Sequence, residues 1–225
     1  MSILNVWVER QRALVCVDTQ GVGNDGTRGD VTKLAVLPHI NAVLACRGHL
    51  AFLSTCWMMM AMSSRGFDEL VEAMSTILPL AFQNVVQTAG ALGVDPATLD
   101  RQTLVFVGWS PRAQRMIGRE WMQETAAQGF VADDIDPHHI APWHESMPNE
   151  DPNNAERMQR LAAAQVRSIR ENAPHEAAGG RLIVAELTRH ATVMRHRRSQ
   201  LNNRGPRQSM SLGEFSMRRW IESIR

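Results

Sequence analysis

Residues 2–48, SILNVWVERQRALVCVDTQGVGNDGTRGDVTKLAVLPHINAVLACRG, decide how this chain folds. Ile3 to Glu9 sets apolar side chains in near alternation, and Ala13 to Val17 is a short apolar run, both patterns of β-strands. The polar Arg10-Gln11-Arg12 between them makes a hairpin the economical connection. Asp18 to Asp30 is rich in glycine and polar residues and reads as a loop. Two more strands follow, Lys33 to Leu37 and Ala42 to Cys46, separated by Pro38-His39. The opening is therefore expected to form one four-strand antiparallel layer.

Lys33 is the only lysine, and every other one of the 24 basic residues is arginine. Arginine keeps its proton near neutral pH, whereas lysine can yield it when burial or a neighbouring cation lowers its pKa. One retained lysine therefore fits a task closed to guanidinium. It also fits an arginine-biased, tyrosine-free composition in which some survivor must sit somewhere. The two explanations stand side by side until the surroundings of Lys33 are read.

Beyond residue 48 the period changes. His49 to Ser64 carries Leu50, Leu53, Trp57, Met60 and Ala61 three or four apart and predicts a helix, and Phe67 to Gln87 predicts another, bent at Pro79. Met58-Met59-Met60 reads as adaptable packing. Strand patterns return at Thr103 to Trp109 and Arg115 to Met122. A third helix is expected over Asn154 to Glu171, and Gly179-Gly180 opens a hairpin of Arg181 to Thr188 and Ala191 to His196. Strands, two helices, strands, one helix and strands suit an α+β fold. The expected form is a four-layer αββα sandwich, two antiparallel sheets flanked by helices. Residues 1–200 are expected to form this single domain, and residues 201–225 a basic C-terminal arm.

Composition narrows the function classes. At 225 residues the chain can bury a sizeable core. Its longest apolar run, Leu50 to Met62, is interrupted and too short to span a membrane, and the N-terminus lacks a secretion pattern. Cys16, Cys46 and Cys56 have no metal-ligand spacing and read as buried thiols of a reducing interior, so a cytoplasmic location is expected. From Arg189 to Arg225, nine arginines face only Glu214 and Glu222, so this end carries about +7 of a formal net +1. With few aromatics among those arginines, a protein partner or plain solvation fits better than nucleic acid. Asp133, Asp134, Asp136, His138 and His139, with His144 and Glu145 nearby, match no zinc or calcium motif and read as a polar surface loop. No phosphate-binding loop and no Gly-x-Ser-x-Gly elbow occurs, and no metal or cofactor is expected.

Four segments now acquire a common meaning: Ser2-Ile-Leu-Asn-Val-Trp-Val8, Val15-Cys-Val-Asp18-Thr-Gln20, Val31-Thr-Lys33-Leu34 and Leu44-Ala-Cys-Arg-Gly48. Together they resemble the first half of a proteasome β-subunit, a family of the N-terminal nucleophile (Ntn) hydrolases. That family has a leading threonine on its first strand, an aspartate closing the second, a lysine opening the third and a glycine ending the fourth. With Ser2 leading, Asp18 and Gly48 fall at the family's spacing and Lys33 comes one position early. The order of later elements follows the family over about residues 2–198. The resemblance implies that Ser2 is nucleophile and, through its α-amine, base. It implies that Lys33 eases deprotonation, that Asp18 holds Lys33, and that the Gly48 N–H stabilises the oxyanion.

Four departures accompany it. The leading residue is serine, Gln20 stands where an arginine usually follows the aspartate, and between Asn172 and Arg181 there are His175 and Glu176 rather than an Asp-Ser arrangement. Finally, Met1 precedes Ser2, while the chemistry needs a free amine on Ser2. Two expectations result. The first, favoured by these departures, is a non-catalytic relative serving as an assembly or structural subunit, in a homo-oligomeric ring or a larger particle. The second is an active serine-type amide hydrolase acting on peptides. The composition suits a bacterial or phage genome, and in the phage case the location would be the virion.

Overall fold

The structure is a computed structural model and describes residues 2–23, 26–143, 151–173 and 178–198. One sheet is built from β10 (His138–Ala141), β1 (Leu4–Val8), β2 (Arg12–Asp18), β11 (Arg181–Thr188) and β12 (Thr192–Arg198), in that spatial order. The other runs β5 (Leu34–Leu37), β6 (Ala42–Arg47), β7 (Gln102–Ser110), β8 (Arg115–Gln123) and β9 (Val131–Asp134). All these pairings are antiparallel. The helices are α1 (Leu50–Ala61), α2 (Phe67–Ala91), which runs on through Pro79, and α3 (Ala155–Asn172), capped by the Asn154 side chain.

The strand period sorts the core into three layers. Leu4, Val6, Val15 and Val17 of the first sheet meet Val43 and Val105 of the second. The alternate residues Leu14 and Cys16 face Met158 and Val166 of α3. On the far side, Leu44 and Phe106 of the second sheet meet Phe52 of α1 and Leu70 of α2. Helices, sheet, sheet and helix thus stack as expected.

Three local expectations are corrected. The opening strands do not form one four-strand layer: β1 and β2 belong to one sheet, β5 and β6 to the other. What separates them is the segment read as a loop, which contains a small hairpin, β3 (Gln20–Val22) with β4 (Arg28–Asp30), that carries the chain between sheets. The polar stretch around Asp133 to His139 is not a surface loop but supplies the edge strands β9 and β10. His144, Glu145, His175, Glu176 and the basic arm of residues 201–225 lie outside the described residues. Among the described residues, no helix is long and apolar enough to cross a membrane.

One contact limits what the second sheet tolerates. A Cβ on Gly108 would lie 2.5 Å from the Phe67 ring and 2.9 Å from the Ala42 Cβ. Gly108→Ala is expected to destabilise the fold by about 1–3 kcal/mol, the usual cost of overpacking a filled core. A urea titration at constant slope measures it.

Candidate functional site

Antiparallel pairing brings four chain positions to one end of the sandwich. Ser2 precedes β1 and Asp18 closes β2, and these strands pair Leu4 with Val17. Lys33 precedes β5 and Gly48 follows β6, and these pair Leu34 with Ala45. Each sheet therefore delivers two of the four residues singled out from sequence.

Three of the four are bonded together. Lys33 Nζ donates to Ser2 Oγ at 2.9 Å and to Asp18 Oδ1 at 2.8 Å. Asp18 is 0% exposed and Lys33 4%. The same carboxylate accepts the Ile3 N–H on Oδ1 at 2.9 Å and the Gly179 N–H on Oδ2 at 3.1 Å. A buried charge needs a partner and a full set of hydrogen bonds, and Asp18 has both. Ser2 is half-buried, whereas its ammonium neighbour Lys33 is buried.

Asp18 is also supported from beyond α3, by the Gly179-Gly180 turn, which in the sequence reads only as a hairpin opener. Gly179 (φ 145°) and Gly180 (φ 71°) hold backbone conformations costly to other residues. This lets the turn dock on the chain just past β2: Thr19 N donates to Arg181 O at 3.0 Å, and Arg181 N to Thr19 Oγ1 at 2.8 Å. Thr19 Oγ1 in turn donates to Asp30 Oδ1 at 2.8 Å.

Gly48 sits between β6 and α1 at φ 120°. The next residue's backbone, His49 N–H, donates to Gln102 Oε1 at 2.8 Å. Burial holds the His49 imidazole below its ordinary pKa. The thiols nearby are poor nucleophiles. Burial pushes Cys46 up to about 12, against the opposing pull of the Lys33 charge, and burial followed by the Asp18 charge raises Cys16 strongly. Among the described residues no cluster of three or more His, Cys, Asp or Glu side chains has the geometry to hold a metal ion.

No protein-family model matches the chain, and no curated protein matches it by sequence. Its fold is similar to that of Anbu from Hyphomicrobium sp. strain MC1, at 14% identity and a TM-score of 0.53, covering 90% of this chain and 88% of that one. A mutant of the same protein aligns at 13% identity, a TM-score of 0.54 and the same coverage. A likeness at this identity shows that the two chains share a fold. It corrects the family read from the sequence, since the solved structures are Anbu at very low identity and no proteasome β-subunit family matches. The physical reason is that the four-residue pattern marks strand ends, which belong to the fold and do not identify a family.

Proposed function

We propose that this protein hydrolyses amide bonds with Ser2 as an amino-terminal nucleophile, once Met1 has been removed. The observation that carries this is the position of Lys33, whose ammonium bridges the Ser2 hydroxyl and a buried carboxylate at hydrogen-bond distance from both. A purely structural ion pair needs only Asp18. The further bond to the hydroxyl of the half-buried Ser2 matches what a weak nucleophile requires.

The α-amine of Ser2, with an ordinary pKa of about 8, takes the Oγ proton as Oγ bonds to the substrate carbonyl carbon. The Lys33 charge stabilises the developing alkoxide at short range and away from solvent, where screening is weak. The carbonyl oxygen becomes an oxyanion. Cys46 N donates to Lys33 O at 3.0 Å, and Gly48 follows β6 two residues on, near the same end of the sandwich as Lys33. There it serves as the oxyanion donor. Collapse breaks the C–N bond, and the departing amine takes the proton from the α-ammonium. Water then attacks the ester, returns a proton through the same amine and releases the acid.

The departures from the family pattern read differently beside this geometry. Serine supplies the same hydroxyl as threonine, and the Gly179 N–H helps to hold the Asp18 carboxylate that Lys33 pairs with. Ser2→Ala is expected to abolish cleavage of peptidyl-coumarin amides, whereas Ser2→Thr retains it. Equal release by Ser2→Ala and wild type would show that Ser2 is not the nucleophile, and no release by the wild type would leave the fold as a non-catalytic building block.

A further inference from the structure

We infer that Gln102 is the positioning residue for the oxyanion donor: its side-chain amide pins the peptide that follows Gly48. The inference rests on the Ser2 reading, since it names what holds that site's Gly48 N–H in place.

Gln102 opens β7 and is 1% exposed. Its Nε2 donates to Leu99 O at 2.7 Å and reaches Asp100 O at 3.4 Å. Two carbonyls on that side decide the orientation of the amide, because only NH₂ can donate to both. Oε1 must therefore face the other way, where it accepts the His49 N–H at 2.8 Å. The connection spans 53 positions in sequence. The anchor behind it is firm. Leu99 is fully buried, Asp100 Oδ1 accepts the Ala126 N–H at 2.7 Å, and Arg101 N donates to Glu124 O at 3.1 Å.

The consequence falls on Gly48. Glycine is the residue whose backbone moves most freely, which ill suits a fixed donor. Here both neighbours are held: Arg47 by its pairing with Thr103 of β7, His49 by Gln102. The glycine is required by the same side chain, since a Cβ at Gly48 would lie 2.8 Å from the Gln102 amide carbon. A polar group buried at this cost is understandable as preorganisation of an N–H that must not reorient when charge develops. Sequence alone gives no signal of this, because a glutamine at a strand start is unremarkable.

Gln102→Met keeps the size and removes the acceptor. With a fluorescent β-lactone as the probe, the maximal acylation rate of Ser2 is expected to fall about 100-fold, the scale of a lost oxyanion donor. The half-saturating probe concentration and the pH midpoint of acylation, which report binding and the α-amine, should stay within twofold of wild type. Hydrogen exchange of the His49 amide should quicken at least about tenfold, as a bonded N–H freed to solvent does. Unchanged His49 exchange overturns the inference whatever the activity. Faster exchange with an undiminished acylation rate also overturns it. A wild-type protein that the lactone never acylates overturns instead the Ser2 reading and with it the catalytic part of the inference, a result distinguishable because the exchange measurement needs no activity.

Discussion

Lys33→Arg is expected to lower the rate of Ser2 acylation roughly 10³-fold while leaving the protein folded, the range for loss of a charge-stabilising or proton-handling group. One Nζ atom lies 2.9 Å from Ser2 Oγ and 2.8 Å from Asp18 Oδ1. A guanidinium spreads its donors over a planar fork and is longer, so it can keep the bond to Asp18 and not place a donor equally near the hydroxyl. With Lys33 only 4% exposed, the larger head has no solvent to swing into. Circular dichroism and a urea titration establish that the variant is folded, and the lactone acylation rate gives the effect. Acylation within threefold of wild type would show that Lys33 is an ion-pair partner and nothing more.

The second large effect is on stability. Asp18→Ala removes the acceptor of three bonds, from Ile3 N, Lys33 Nζ and Gly179 N, and strands an ammonium in the interior. Breaking one half of a buried ion pair typically costs about 3–5 kcal/mol. Against a total of about 5–15 kcal/mol for a domain, that is a large share of the margin. Replacing both partners, as Asp18→Asn with Lys33→Met, removes the stranded charge along with the pair. The double variant is therefore expected to be more stable than Asp18→Ala by about 1 kcal/mol or more. Urea midpoints for the three proteins measure this. A double variant no more stable than Asp18→Ala would mean that the backbone bonds to the carboxylate, rather than the charge of Lys33, dominate the loss.

Much of this site is readable from the sequence because its residues sit at strand ends. Asp18, Lys33 and Gly48 each mark a place where an apolar run stops or starts, and antiparallel pairing alone brings such ends together. What is not readable depends on which runs pair. β2 and β6 are apolar on both faces, since each is covered by a sheet on one side and helix on the other, so their composition does not reveal that they lie in different sheets. The edge strands β9 and β10 are rich in Asp and His because an edge is half open to water, and the same residues imitate a loop. Gly179 announces a turn, while its N–H to Asp18 is made 161 positions away, beyond any local pattern. Gln102 carries no signal at all until His49 is seen against it.

The central claim is that Ser2 bears a free α-amine and an activated hydroxyl. Intact and peptide-resolved mass spectrometry of the native protein, before and after incubation with the β-lactone, tests both halves at once. The predicted result is a chain beginning at Ser2 that gains one lactone, located on Ser2 Oγ and absent from Ser2→Ala. A chain that retains Met1 throughout, or one that begins at Ser2 and gains no adduct there, would contradict it.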